Sequence, residues 1–212
     1  MQSANQILNA TPALRFDVFY DYLCPFVYRA SVLLQNVGDS GERTVDVRWR
    51  YFSLTQVNSK DAGWTVWDAT DAQARGRLAF KAAEAARRQD AFDGFHVALL
   101  RARHEDRADI DDVTVVEQVA DDMGLDLKRF RKDIADPQIV STLERDHLSG
   151  VAEHGVFGTP TFVFGGGQAA YVRLSEAPER VDSIAIFDRL VSIAAEEPRI
   201  LEIKRPLRPS LD

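Results

Sequence analysis

Residues 14–38 read LRFDVFYDYLCPFVYRASVLLQNVG, and they hold the chain's one cysteine, Cys24, with a proline directly after it. The first nine residues alternate and are rich in aromatic and β-branched side chains, the pattern of a strand. Proline is favoured at the first helical position, so Cys24 and Pro25 stand where a helix begins. The run PFVYRASVLLQNV continues with apolar residues at helical spacing, and Gly38 is the expected stop. Next along the chain, TVDVRWRYFSL (44–54) reads as a second strand. Strand, helix and strand of these lengths predict a βαβ unit with a parallel pair and a right-handed crossover.

Residues 68–154 change character and predict an insertion of four or five helices. DAQARGRLAFKAAEAARRQ, DAFDGFHVALLRARHED, DDVTVVEQVADDMG and DPQIVSTLERDHLSGVAEHG all carry helical patterning. Phe92, Phe95, Leu99 and Leu100 form one apolar stripe, and Val115, Val116, Val119 and Met123 another. In the last segment Asp136 suits the N-cap, Pro137 the first helical position and Gly155 the stop. Strands then return: TPTFVF (159–164), a GGGQ turn and AAYVRL (169–174) predict a hairpin. A final helix over about 178–195 places Ile184, Phe187, Leu190 and Ile193 on one face. The chain therefore divides into 14–67 and 155–196, two parts of one domain, around a helical insertion at 68–154, with a tail at 197–212. This layout is an α/β, thioredoxin-like fold with a helical lid.

Composition narrows the function classes. The 212 residues carry a net charge of −7, so no basic surface for nucleic acid is expected, and KRPLRPS near the end is a short, proline-broken tail. No run approaches the roughly 18 apolar residues of a membrane helix. MQSANQILNATPALRFDV has neither the basic nor the apolar region of a secretory signal, and one cysteine permits no intrachain disulfide. The expected location is the cytoplasm.

The chemistry concentrates at Cys24. A cysteine at a helix N-terminus meets unpaired backbone N–H groups and the positive end of the helix dipole, which stabilise a thiolate. Against this stands the common role of a lone cysteine as a small buried apolar residue. A second element is GVFGTPTFVF (155–164), in which Pro160 opens a strand, a position that spares the ladder a missing donor.

Together, DYLCPFVY at a helix start, a long helical insertion and VFGTPTFVF resemble the DsbA-like thioredoxin superfamily. The likeness runs from about residue 14 to 195. It is closest to the cytosolic branch of DsbA-type oxidoreductases, 2-hydroxychromene-2-carboxylate isomerases and kappa-class glutathione transferases. RWRYFSL (48–54) and LLRARHEDRADIDD (99–112) resemble the family's second strand and lid. The resemblance implies that Cys24 occupies the place of the first cysteine of Cys-Pro-x-Cys, or of the serine that activates a glutathione thiol in the isomerases and transferases. Pro160 matches the facing cis proline, and Thr159 the residue whose backbone pairs with a peptide or thiol cofactor. Pro25 lies within the motif; Asp21, Phe26 and Tyr28 flank it. Ser175 and Glu176, in VRLSEAP (172–178), lie where the glutathione-binding acidic segment of the transferases would fall. A cis Thr159–Pro160 bond is predicted, with Pro160 against Cys24 and the Thr159 backbone turned to the groove.

The departure is Val27, which stands where the second cysteine would be. An internal disulfide cycle is excluded, which leaves three readings. Cys24 acts as a monothiol through mixed disulfides resolved by glutathione or mycothiol; it polarises such a thiol for an isomerase or transferase working on a small aromatic substrate; or the groove is a non-enzymatic binding site. The implied partners are a small thiol with a small substrate or protein thiols, no covalently bound cofactor, and a homodimer by family resemblance.

The remaining polar candidates are weaker. His147 and His154 share a helix face without a third ligand, so no metal is expected. His104 is expected in solvent, and His96, on the Phe92 stripe, as a hydrogen-bonded structural residue. GGG (165–167) lacks phosphate-loop spacing and is expected to be a turn. SKDAGWTVWDA (59–69) is expected near the site end of the fold, with Trp64 and Trp67 offering an apolar wall and Trp49 in the core.

Overall fold

The computed structural model describes residues 13–70 and 72–205, so the start of the N-terminal stretch, Asp71 and the tail residues 206–212 lie outside the described residues. The order is β1 (Leu14–Tyr20), α1 (Pro25–Ser40), β2 (Val45–Tyr51), α2 (Leu54–Val57), α3 (Arg77–Arg87), α4 (Phe92–His104), α5 (Val113–Asp122), α6 (Leu127–Ile134), α7 (Pro137–His154), β3 (Thr161–Val163), β4 (Ala169–Tyr171) and α8 (Arg180–Ala194). The strands form one sheet in the order β2-β1-β3-β4. β1 pairs in parallel with β2, Val18 opposite Trp49, and antiparallel with β3, Val18 opposite Phe162. The expected βαβ unit and hairpin are both present.

β1 is one of the two interior strands, and its C-terminal half is buried on both faces: Val18, Phe19 and Tyr20 are each 0% exposed. Burying each such side chain is worth about 1.5–3 kcal/mol, which explains the run of large apolar residues here. On one face Phe16 meets Phe162, Phe164 and Phe187, closing α8 onto the sheet beside α1. Farther along the same face Tyr20, Trp49 and Tyr51 receive Phe80 of α3 and His96 of α4. The opposite face carries Phe19 and Phe52 and is covered by α7. That approach depends on Gly150, where a Cβ would stand 2.7 Å from Phe19 Cε1. Beside it Arg50 joins Asp17 to Asp146 and reaches Ser149, tying both strands to α7.

Several boundaries differ from expectation. α1 runs past Gly38 to Ser40 and ends at Gly41, whose φ of 69° lets its N–H turn back to the Gly38 carbonyl. β2 stops at Tyr51 because Ser53 caps α2, accepting from the Gln56 N–H. The helix expected from residue 71 begins only at Arg77. Asp136, Pro137 and Gly155 cap and start α7 as predicted. Met123 and Ile193 are partly exposed, although the Met123 side chain still lies over Gly94 of α4, while Val116, Val119 and Phe187 are buried. β4 ends at Tyr171, yet the Val172 N–H still donates to the Pro160 carbonyl. No helix among the described residues is long and apolar enough to cross a membrane.

Candidate active site

The loop 21–24 joins β1 to α1 and is held from three directions. Asp21 is fully buried; its Oδ1 accepts from the Leu23 N–H at 2.8 Å and its Oδ2 from the Leu54 N–H at 2.7 Å. Burial pushes its carboxyl up to about 6, against the opposing pull of those two N–H groups. The second tether is the Tyr22 hydroxyl, 3.0 Å from His96 Nδ1. The third is the Tyr22 carbonyl, which accepts from His104 Nε2 at 2.9 Å. His96 is the structural histidine expected: burial, then the nearby Arg87 cation, lower it to about 3 and keep the ring neutral. His104 is not in open solvent as expected. Burial lowers it, the bond to Tyr22 opposes this, and the cations of Arg103 and Arg29 add to the lowering. The helical insertion thus positions the loop directly through α4.

Cys24 is the N-cap of α1, and Pro25 is its exposed first residue. The Cys24 N–H donates to the Asp21 carbonyl at 3.0 Å, and the Cys24 carbonyl receives the N–H groups of Val27 and Tyr28. The thiol is buried and donates to the Thr159 carbonyl oxygen at 3.2 Å. The Thr159–Pro160 bond is cis, as predicted, and the Val172 N–H fixes the far side of Pro160. One expectation is amended: the Thr159 carbonyl is engaged by the thiol rather than turned wholly to the groove. The Thr159 hydroxyl is buried without a hydrogen-bond partner. Val27, at the position of a second thiol, is 0% exposed and packed in the core.

Phe26 is half-buried beside this centre, with the Arg173 guanidinium 4.1 Å and the Arg29 guanidinium 5.1 Å from its ring centre. Ser175 and Glu176 are exposed on the segment after β4, and no hydrogen bond among the described residues joins them to Cys24 or Thr159. A shallow, open surface depression of about 630 Å³ lies next to Leu23, lined by Leu54 and Trp64 and by Asn58, Gln73 and Arg75. Trp64 lines it as expected. Trp67 does not: it is buried against His147, while Arg77 donates to the Val66 and Trp67 carbonyls. Trp49 is in the core, as expected.

Residues 15–182 match the DSBA-like thioredoxin domain. The chain belongs to that family. An uncharacterised protein of Mycobacterium tuberculosis is 24% identical to this DsbA-like chain over 194 residues, covering 92% of this chain and 83% of the relative. The cytosolic disulfide reductase DsbM of Pseudomonas aeruginosa, solved with glutathione, superposes with a TM-score of 0.60 at 17% identity, over 84% of this chain and 99% of that one. A 2-hydroxychromene-2-carboxylate isomerase superposes at 0.59 with 12% identity, over 89% of this chain and 100% of the other. At these identities the two structures establish the shared fold. Asp21 and His104 were the residues that sequence reasoning undervalued. Their roles come from partners 33 and 82 residues away, for which neighbouring residues give no signal.

Proposed function

We propose that this DsbA-like protein is a monothiol oxidoreductase in which Cys24 exchanges disulfides with the help of a small external thiol. The observation that carries the reading is the Cys24 thiol at the start of α1, 3.2 Å from the carbonyl oxygen that precedes cis-Pro160. In the exchange, the Cys24 thiolate attacks one sulfur of a disulfide R–S–S–R′. The old S–S bond breaks, R′S⁻ leaves, and a Cys24–S–S–R bond forms. A small thiolate such as glutathione or mycothiol then attacks the sulfur of R, freeing Cys24 and carrying R away as a new disulfide. The buried Val27 supports this order, since no thiol in the motif competes with the external one. The Thr159 carbonyl, holding the resting thiol, is released when that proton departs.

A second reading draws on the open depression beside Leu23, where Trp64 and Leu54 offer apolar surface to a small aromatic substrate of a thiol-dependent isomerase or transferase. One experiment separates the readings: disulfide reduction with added glutathione or mycothiol, combined with intact-mass detection of the adduct on Cys24. The monothiol reading expects a single mixed disulfide, turnover with the added thiol, and loss of both in Cys24→Ser. Glutathione-dependent conversion of an aromatic substrate that survives Cys24→Ser would establish the isomerase or transferase reading instead. A Cys24 that resists iodoacetamide at neutral pH and shows no turnover would leave a binding protein.

A further inference from the structure

Two arginines meet on one aromatic ring close in sequence to Cys24. Arg173 and Arg29 both lie over the ring of Phe26, two residues beyond Cys24 on the first turn of α1. One arginine on an exposed ring is ordinary packing. Two on the same ring bring like charges together, and neither has a carboxylate within ion-pair distance among the described residues. Arg29 spends one N–H on the neutral Leu174 carbonyl at 2.8 Å, which leaves most of its donors unspent. Glu105, at the end of α4, is already engaged by the Tyr28 hydroxyl and by Arg101, at 2.6 and 3.8 Å. Several other arginines of the protein are paired with acids, as in Arg43–Asp188, Arg88–Asp136 and Arg131–Glu117. Position adds to this: Arg173 directly follows Val172, whose N–H is bonded to the Pro160 carbonyl, so the segment bearing it runs beside the cis proline.

We infer that Arg29 and Arg173 form an anion-recognising subsite, which selects carboxylate-bearing small disulfides and thiols as the exchange partners of Cys24. This rests on the thiol-exchange reading above and names the chemistry of its partner. Each guanidinium offers a planar fork that matches a carboxylate, and the aromatic ring beneath holds both in place before the ligand arrives. A neutral thiol finds the ring but no counter-charge for the arginines, and a cationic one is repelled. An acidic protein thereby keeps a locally cationic approach to its one thiol.

The test uses three aliphatic disulfides of matched length: bis(2-carboxyethyl) disulfide, bis(2-hydroxyethyl) disulfide and cystamine. The rate of mixed-disulfide formation on Cys24 is read by intact mass and divided by the rate of the same reagent with a free cysteine peptide. The expected order is anionic over neutral over cationic. Arg173→Gln and Arg29→Gln should each reduce the anionic-to-neutral ratio about threefold, the scale of an exposed charge pair. Added salt should compress the wild-type ratio in the same direction. Equal normalised rates for the three reagents, or a ratio unmoved in both variants, would overturn the inference while leaving thiol exchange intact. A Cys24 inert toward all three sinks thiol exchange and this inference with it.

Discussion

Replacing Asp21 by asparagine tests how the loop before Cys24 is held. The carboxylate is fully buried, and its two oxygens take the backbone N–H groups of Leu23 and Leu54. Burial nevertheless wins, raising the group from 3.8 to about 6 in the folded protein. A raised acid means that the folded state holds a proton the unfolded chain has already lost. Asp21 therefore contributes its full share of stability below about pH 4, and that share is lost as pH rises through about 6. The difference between 3.8 and about 6 corresponds to about 3 kcal/mol. The amide, isosteric and uncharged, has no such dependence: like the protonated acid it accepts one N–H and turns a donor toward the other. Urea unfolding of wild type and Asp21→Asn between pH 4 and 7 reads the effect as a difference, which cancels every other titrating group. The two should be close at pH 4, and the balance should move by about 3 kcal/mol in favour of asparagine by pH 7. A difference that stays flat, or moves toward the wild type as pH rises, refutes the reasoning and shows that the two N–H bonds outweigh burial.

Two further outcomes follow from the packing around the sheet. Gly150→Ala gains about 1 kcal/mol of helix propensity but drives a Cβ to 2.7 Å from the buried Phe19 ring; overpacking of about 1–3 kcal/mol should prevail and lower the urea midpoint, and a more stable variant would contradict the close approach of α7. His147 Nδ1 accepts from the Ser53 N–H at 3.2 Å, and burial lowers the ring to about 4. Its stability contribution is present above the ordinary 6.5 and lost as pH falls through about 4, so wild type should weaken relative to His147→Asn over that interval when unfolding is followed by circular dichroism.

What the sequence determined by itself is what neighbouring residues encode. The alternation of residues 14–22, a proline at the first turn after Cys24, and the Asp136, Pro137 and Gly155 signals of α7 are local preferences, and each forms where the chain places it. The missing second thiol is equally plain, because Val27 is a matter of identity and not of shape. Gly38 shows the limit: two glycines lie three apart, each could end a helix, and only the backbone at Gly41 adopts the left-handed turn. Met123 and Ile193 sit at the right spacing for their stripes yet stay partly exposed, since spacing fixes a face but not how fully a neighbour covers it. The site belongs to the tertiary structure. Cys24 and Thr159 are 135 residues apart, and the thiol meets that carbonyl because β3 pairs with β1. His104, in a charged run that reads as solvated, is drawn onto the Tyr22 carbonyl by the packing of α4. Arg29 of α1 and Arg173, just past β4, meet on Phe26 because the chain after β4 returns beside the start of α1, where Arg29 bonds the Leu174 carbonyl. A long-range contact exists only once the topology closes the loop between its partners, so its free energy cannot be read from the residues that flank either one.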